Sequence, residues 1–278
     1  MRSVGAGRQP TGSVLHAGRT TLPASGPRWR ERGGKMDRGE GVRDHEPGSR
    51  WGHVGLRLGA LLRTAMLSLA DLSTAPTRTL NPTILYLGTP VVLVSTRNAD
   101  GSANLAPISS SWWLGRTGVL GIGTRSQTVA NLRREGQLVA SYPSEALAAA
   151  VDRLAGTTAA DPMPGYKRAM GFAHVTDKFE RAGLTAVASE AVAPPRVAEC
   201  PIQIECEVLS VREVGPSGVD HAAAVEVRAV RTHVHEAILK TGHRHHIDPD
   251  RWRPLMMSFL EFYGLGPRVR PSHLAEIF

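Results

Sequence analysis

Cysteine and long apolar runs are scarce in this chain of 278 residues, and each scarcity excludes a class of protein. The only two cysteines, Cys200 and Cys206, fall in a stretch that predicts one strand. At ~3.3 Å per residue they would lie roughly 20 Å apart, too far to bridge one another while that strand is extended. A disulfide framework is therefore not predicted, and the cytoplasm is the expected location. No apolar run is long enough to cross a membrane, and no secretory signal follows Met1.

Aromatic residues are also few, at 5% of the chain, and positive charge is unevenly distributed. Residues 1–76 carry 12 Arg and Lys against 6 Asp and Glu, whereas the other residues carry 21 against 19. The net charge of +8 thus describes the N-terminal segment more than the body. Because no spaced aromatic residues and no zinc-ligand spacing accompany this charge, the composition does not predict a nucleic-acid partner.

Residues 1–76 predict a disordered, low-complexity basic extension, and residues 77–278 predict the folded domain. The first part of the extension is rich in Gly, Arg, Pro and Ser and lacks apolar periodicity. A basic tail that binds nucleic acid is an alternative interpretation of this segment. A later start of translation, at Met66 or Met36, is another. Scattered leucines within residues 51–72 fit a short amphipathic helix.

The chain is organised around residues 90–131, which predict three strands, their connections and the start of a helix. Residues 91–96 form an apolar, β-branched run typical of a buried strand, and a turn rich in Asn, Asp and Gly follows. A second strand begins at Asn104 and is expected to end at Pro107, because proline has no N–H to donate to a ladder. Residues 118–124 predict the third strand.

Two polar segments flank these predicted strands. Ser109, Ser110 and Ser111 bring hydroxyls and free backbone amides into one short loop. The run from Arg125 to Thr128 opens a helix, and the first amides of a helix are unpaired and attract phosphate. This combination predicts a flat, phosphorylated cofactor.

The segment DGSANLAPISS, followed by RSQTVANLRREG, resembles the flavin reductase-like, FMN-binding split-barrel family. In that family an Asn-x-x-Pro-x-Ser loop lies under the flavin, and a Thr-x-x-Asn helix start lies near its phosphate. The later segment PPRVAECPIQIECEVL is similar to the next pair of strands, so the resemblance runs from about residue 80 to the C-terminus. It implies a mainly β fold, a split β-barrel with peripheral helices.

The resemblance implies two groups of FMN-binding residues. The loop would aim backbone N–H groups at the ring's carbonyl oxygens and N5, where they stabilise the negative charge of the reduced ring. The helix start would bind the phosphate through an arginine and hydroxyl groups. The first group is Asn104, Ala106, Pro107, Ile108, Ser109, Ser110 and Ser111, and the second is Thr124, Arg125, Ser126, Thr128 and Asn131.

Ordinary structural roles remain open for both groups. The first would then be a polar hairpin loop. In the second, Ser126 would cap a helix, Arg125 would be solvated, and Asn131 would be an exposed polar residue. If the hydroxyl of Ser126 serves as a cap, Thr124 is the alternative donor to the phosphate.

The C-terminal part predicts a meander of two long strands followed by a short helical turn. Alternating side chains in residues 197–214 and 219–235 predict antiparallel strands joined by a Gly-Pro-Ser-Gly turn. A helical turn is expected over residues 248–256. The family resemblance brings the C-terminal segment towards the flavin, and Tyr263 and His273 are the candidates to lie near it.

The histidine-rich loop at residues 243–246 does not predict a metal site. Arg244 places a positive charge among the supposed ligands, and no thiolate lies nearby. A solvated loop is the preferred interpretation, and a histidine that faces the active site is the alternative. Of Trp112 and Trp113, one is expected in the core and the other at the wall of the pocket.

The resemblance implies an FMN-dependent NAD(P)H:flavin oxidoreductase. NADH or NADPH would reduce the flavin, which would pass its electrons to an unknown acceptor or to a partner monooxygenase. A homodimer is implied, since in that fold the flavin usually sits at the subunit boundary. No metal, nucleic-acid or membrane partner is predicted. The alternatives are a non-enzymatic flavin-carrying electron-transfer protein on the same fold, and the same barrel with a deazaflavin or haem.

Overall fold

A seven-stranded sheet forms the body of residues 77–278. The computed structural model describes residues 69–82, 84–163, 165–215 and 221–277. The strands are β1 Leu87–Pro90, β2 Val92–Arg97, β3 Ala103–Ile108, β4 Ser111–Leu114, β5 Thr117–Gly123, β6 Gln137–Tyr142, β7 Ala186–Val187, β8 Arg196–Val197, β9 Ile202–Val214, β10 Ala222–Val234, β11 Met256–Ser258 and β12 Glu261–Tyr263. The helices are α1 Leu69–Thr74, α2 Gln127–Glu135, α3 Ala148–Ala155, α4 Gly165–Ala169 and α5 Lys178–Ala182, with 3₁₀ turns at Glu145–Leu147, Glu236–Ile238 and His273–Glu276.

The large sheet has the strand order β3-β2-β6-β9-β10-β5-β4, and its neighbouring strands are antiparallel. A three-stranded sheet, β1-β11-β12, and the short pair β7-β8 complete the described strands. Among the described residues, no helix is both long enough and apolar enough to cross a bilayer.

The chain divides into two units, residues 1–76 and residues 77–278. The described part of the first unit contains α1. The rest of the predicted extension lies outside the described residues, as do Met36, Met66 and most of the helix predicted over residues 51–72.

The two longest strands, β9 and β10, form because their apolar side chains recur at every second position. On β10, Val225 and Val227 are fully buried, whereas Arg228 between Val227 and Ala229 is exposed. Side chains of a strand alternate between its two faces, so one face of this hairpin packs into the barrel while the other faces outward.

By contrast, β2 is buried on both faces, which explains its continuous apolar run. Val92 and Val94 belong to the cluster inside the barrel. Leu93 points the other way, into a second cluster that α3 and α5 cover through Leu154 and Ala182. The barrel is therefore closed on this side by helices, and the same helices approach the edge strand β3.

Pro107 does not end its strand, so that prediction is wrong. Pro107 pairs with Leu93, and β3 continues to Ile108 opposite Val92. The reason is that β3 lies at the edge of the sheet, where a residue without an N–H donor is tolerated. Ser111, predicted to lie in the loop, instead begins β4.

The helical turn predicted over residues 248–256 forms only at its start, and its predicted continuation to residue 256 is wrong. The chain makes hydrogen-bonded turns from Asp248 to Trp252 and then becomes extended. The backbone of Leu255 donates to Pro143 and accepts from Val91, and its side chain is buried in the second cluster. Tertiary burial of this leucine thus favours an extended chain over a helix.

The two cysteines lie in different clusters rather than on one strand. Cys200 precedes β9 and packs beneath α3 and α5, whereas Cys206 lies on β9 inside the barrel. Both are free, buried thiols, and burial raises the pKa of each. Thiols with raised pKa values react slowly with oxidants, so both are structural groups.

Candidate functional site

Two adjoining cavities lie where β3 and β5 approach the start of α2. The first, here called the apolar cavity, has a volume of about 380 Å³ and is bordered by Ser109, Ser110, Val151, Phe172 and Phe262 among others. The second, here called the cationic cavity, has a volume of about 200 Å³ and is bordered by Asn104, Arg125, Ser126, Thr128, Lys167 and Lys178 among others. Both are bordered by Pro107, Ile108 and Gly123, and the two adjoining cavities are together called the cleft.

The predicted loop and the predicted helix start therefore lie together. Ala106, Pro107 and Ile108 of β3 border the same cavity as Arg125 and its helix. This proximity arises because β5 ends just before α2 and the start of β3 contacts the first turn of α2 through Asn104 and Thr128, although the two strands occupy distant positions in the sheet order.

Asn104 ties four elements together behind the cationic cavity. It is buried, and its amide donates to the Oγ1 atoms of Thr96 on β2, at 3.0 Å, and Thr128 on α2, at 3.1 Å. Its Oδ1 accepts from Lys178 Nζ of α5, at 2.8 Å. Both polar atoms of the Asn104 side chain, Nδ2 and Oδ1, are therefore hydrogen-bonded to side chains of neighbouring elements, and these bonds fix the cavity wall.

The N-terminus of α2 is fixed by Ser126, whose Oγ accepts from the backbone N–H of Val129 at 3.2 Å. Ser126 therefore has the capping role that was the ordinary alternative, while it also borders the cationic cavity. Thr124 donates from Oγ1 to the carbonyl of His221 at 3.1 Å. Because His221 borders the cationic cavity, Thr124 supports its wall from behind.

Asn131 does not border either cavity. It is buried, and its amide nitrogen donates to Thr96 Oγ1, at 3.0 Å, and Asn98 Oδ1, at 2.9 Å. Its Oδ1 accepts from Gln127, at 2.9 Å, and Arg134, at 3.0 Å. Asn131 is therefore neither an exposed polar residue nor a group that reaches the cleft. Its hydrogen bonds hold α2 against the end of β2 and the turn that follows it.

The serine loop packs closely on β5 through a glycine. The carbonyl of Ser110 accepts from the N–H of Gly121 at 2.7 Å. A Cβ atom at Gly121 would lie 2.8 Å from the Cβ of Ser110, closer than real Cβ atoms approach one another. Ser109 and Ser110 border the apolar cavity, whereas Ser111 on β4 does not. The Oγ of Ser111 instead lies 3.4 Å from the hydroxyl of Tyr142.

The C-terminal candidates lie outside the cleft. Tyr263 pairs with Met256 at the edge of the small sheet and is 56% exposed, and His273 lies in an exposed 3₁₀ turn. The neighbouring Phe262 borders the apolar cavity instead. Side chains alternate along a strand, so Phe262 and Tyr263 face opposite sides of β12.

Of the two adjacent tryptophans, one packs on the core as predicted, and the other does not line the cleft. Trp113 packs on the barrel cluster and donates from Nε1 to the hydroxyl of Tyr142 at 2.5 Å. Trp112 is 56% exposed and borders a further cavity of about 500 Å³ beside Ser109–Ser111, outside the two cavities of the cleft.

Two lysines of the cationic cavity, Lys167 and Lys178, belong to none of the sequence motifs that predict the site. Lys178 lies 74 positions from its partner Asn104, and Lys167 lies on α4. The sequence carries one usable signal: Lys178 and Ala182 are four positions apart, so they share one face of α5, and both are buried. Burial, and to a lesser extent the nearby Lys167, lowers the pKa of Lys178 from 10.5 to about 8.

The histidine-rich loop forms no metal site among the residues that the structure describes. The rings of His243 and His246 are 5.3 Å apart on an exposed turn. Upstream, His233 instead places Nε2 2.6 Å from the buried carboxylate of Glu205. The loop also borders neither cavity of the cleft.

The chain belongs to the flavin reductase-like family, because the model of the flavin reductase like domain matches residues 85–259. The family and the split-barrel fold predicted from the sequence are thereby confirmed. It is 37% identical to YdfE of Bacillus subtilis, an uncharacterized protein, over 197 residues that make up 71% of this chain and 93% of that protein.

Two solved structures share the fold. Nitrilotriacetate monooxygenase component B from Bacillus cereus is 21% identical, with a TM-score of 0.56 over 70% of this chain and 99% of that chain. Flavoredoxin of Desulfovibrio vulgaris is also 21% identical, with a TM-score of 0.57 over 72% of this chain and 100% of that chain. At these identities the likeness shows the fold alone.

Proposed function

We propose that residues 77–278 bind FMN in the two-part cleft and reduce it with NADH or NADPH. One observation carries the proposal: the segment that resembles the family's flavin loop and the helix start that resembles its phosphate site border a single cleft. Separation of the two segments in the fold would have removed the basis for a shared ligand.

The composition of the cleft fits the parts of this cofactor. The wall of the cationic cavity includes Arg125, Lys167, Lys178 and the N-terminus of α2, and no carboxylate lines it in the described part of the chain. These features favour a phosphate group. The apolar cavity next to it is bordered by aliphatic and aromatic side chains such as Ile122 and Phe172, which suit a flat ring.

Each part of the chain has a definite task in this proposal. When bound, the flavin supplies a ring that accepts hydride and releases electrons to an acceptor. Arg125 and the amides of α2 hold the phosphate, and the backbone amides of Ser109 and Ser110 donate to the ring's polar edge. Ile108 and Ile122 exclude water from one side. Alignment of nicotinamide and flavin provides most of the acceleration, so no acid–base residue is assigned.

We further propose that the protein acts as a homodimer. Leu85, Tyr86 and Trp112 are large apolar residues that border the 500 Å³ cavity, and 68%, 39% and 56% of their surface is exposed. Tyr86 and Ser110 border both the apolar cavity of the cleft and the 500 Å³ cavity beside Trp112. An apolar surface of this kind marks a protein interface, and a second subunit placed there would also close the cleft.

The electron acceptor is proposed by class only. The similar structure from Bacillus cereus is named as a monooxygenase component, which supports transfer of reduced flavin to a partner monooxygenase. The similar structure from Desulfovibrio vulgaris is named flavoredoxin, which favours a second candidate, an electron-transfer protein without nicotinamide turnover. Two buried, unpaired thiols favour a reducing compartment for either activity.

One anaerobic experiment tests the function and separates the two candidates. The purified full chain is loaded with FMN and mixed in a stopped-flow instrument with NADH or NADPH, and the visible flavin absorbance is followed. Rapid bleaching by either nucleotide is expected. Bound FMN that no nucleotide bleaches would favour the carrier, and failure to bind any flavin would overturn both.

A further inference from the structure

Lys178 is a buried ammonium group without a counter-ion among the residues that the structure describes. It is 5% exposed, and its Nζ has one hydrogen-bond partner among the described residues, the neutral oxygen of Asn104 at 2.8 Å. Its charge interacts with that of Lys167, which has the same sign. A buried charge is ordinarily paired, because an unpaired one loses its hydration without compensation.

The groups around Lys178 do not supply the missing charge. The cationic cavity that it borders is lined by Arg125, Tyr166, Lys167 and His221, and none of the described residues that line it carries a carboxylate. On its other side Lys178 borders a cavity of about 370 Å³ together with Asp100, Asp161 and His174. No carboxylate lies within ion-pair distance of Lys178 in the described part of the chain, and Asp100 accepts from Ser102 instead.

We infer that Lys178 is the counter-ion of the bound flavin's phosphate, and that phosphate binding is coupled to uptake of a proton by this lysine. The inference rests on the proposed function and extends it with a residue and a linkage that the fold alone does not give. The ammonium group is already positioned to bind a phosphate, because Asn104 bonds both Lys178 and Thr128 on the first turn of α2.

The linkage has a definite sign. Without ligand, the pKa of Lys178 is about 8, so the group begins to lose its charge above that pH. A phosphate at hydrogen-bond distance favours the ammonium form and raises the pKa. FMN affinity should therefore be highest near pH 7, where the phosphate has lost its second proton, with a pKa of about 6, and Lys178 is charged. It should fall above pH 8, by at most about tenfold per pH unit for one linked proton.

Three variants test the inference through the affinities of FMN and riboflavin, which share the ring but differ in the phosphate. Lys178→Met should weaken FMN binding at pH 7 by about 100-fold and leave riboflavin binding nearly unchanged. Lys178→Arg should keep part of the FMN affinity and lose the fall above pH 8, because arginine does not deprotonate in this range. Lys167→Met should keep the fall but shift it to higher pH, because a neighbouring positive charge has been removed.

A measurement on the wild-type protein does not depend on whether the variants fold. Titration calorimetry at pH 8.5 in two buffers of different ionisation enthalpy should show proton uptake with FMN and none with riboflavin. Equal uptake with both flavins, or FMN affinity unchanged in Lys178→Met, overturns the inference while leaving FMN binding itself in place. If the wild-type protein binds no flavin, the proposed function fails. Inorganic phosphate then decides the inference by whether it raises the pKa of Lys178 in NMR titrations.

Discussion

A fully buried carboxylate, Glu205 on β9, holds the connection between β7 and β8 against the barrel. Its oxygens accept from the backbone N–H groups of Glu190, Ala191 and Val192, and from His233. Burial alone would raise the pKa of this carboxyl, but those donors outweigh it and lower the pKa below its ordinary value of 4.5. The group is therefore a structural anion rather than part of the cleft.

Replacement of Glu205 by Gln should lower the free energy of unfolding by about 2–4 kcal/mol, because an amide N–H₂ would face N–H donors. The ionised group stabilises the fold fully above about pH 4.5, and this contribution is lost as the pH falls through the lower native pKa. Urea denaturation should be measured at several values between about pH 3 and about pH 7. The free energy of unfolding should fall more steeply with decreasing pH for the wild type than for Glu205→Gln.

Glu207→Gln is the matched control, since Glu207 lies two positions along the same strand and has an exposed ion pair with Arg228. Its effect should be within about 0.5 kcal/mol. Equal stability of the Glu205 and Glu207 variants would contradict the role assigned to the buried carboxylate.

A second residue-scale prediction concerns Gly121. An added methyl group there would meet the Cβ of Ser110 at 2.8 Å, so Gly121→Ala should push the serine loop from β5 and cost about 1–3 kcal/mol. Gly123 is two positions further along the strand, and its nearest neighbour would lie 3.8 Å away. Thermal unfolding should therefore show a clear loss for Gly121→Ala and almost none for Gly123→Ala, and the reverse order would be inconsistent with this packing.

At the scale of secondary-structure elements, α2 combines a structural cap with a wall of the cationic cavity. Ser126 performs both roles, since its Oγ caps the helix while the residue borders the cavity. Caps accept several residue types, whereas a cavity for phosphate does not accept an added negative charge. The two roles can therefore be separated by the choice of substitution.

Ser126→Asp should keep or raise the stability of the protein, because aspartate is an effective N-cap, yet weaken FMN binding more than tenfold through repulsion of the phosphate, roughly the effect of 1.4 kcal/mol or more. Ser126→Ala should show the opposite order, with a loss of about 1 kcal/mol in stability and a smaller loss of FMN affinity. Urea denaturation and fluorescence titration with FMN and riboflavin measure both effects. Weakened riboflavin binding in Ser126→Asp would show distortion rather than repulsion.

Individual elements also show how far sequence reasoning reaches. Alternation predicted β9 and β10 because one face of each strand is buried and the other is not, and local turn chemistry predicted the β2–β3 connection. The prediction that β3 ends at Pro107 was wrong because the local sequence does not show whether a strand lies at the edge of a sheet. That position is set by tertiary pairing. The extended chain at Leu255 likewise depends on a cluster formed by distant residues.

The site was predicted in part for the same reason. The two segments that resemble family motifs are local in sequence, so both could be found from the chain alone. Their proximity depends on the sheet order, and Lys178 reaches Asn104 only through the packing of α5 on β3. Lysine is ordinarily a surface residue, so no rule of composition identifies a buried one in advance.

At the scale of the whole molecule, the cleft lies beside the exposed apolar residues Leu85, Tyr86 and Trp112, which border the 500 Å³ cavity. If a second subunit covers that surface, association and flavin binding are coupled, because residues such as Tyr86 border both. FMN should then stabilise the dimer, and loss of the dimer should weaken FMN binding by the same free energy.

Trp112→Glu should therefore produce a monomer and lower FMN affinity by about tenfold or more, since a charge placed in an apolar interface must be desolvated for association. Light scattering coupled to size-exclusion chromatography measures the mass, and fluorescence titration measures the affinity. Leu209→Glu is the control, because Leu209 is 50% exposed on β9 but borders neither the cleft nor the cavity beside Trp112. A Trp112→Glu protein that stays dimeric would place the interface elsewhere, and a monomer with unchanged FMN affinity would show that one subunit completes the cleft by itself.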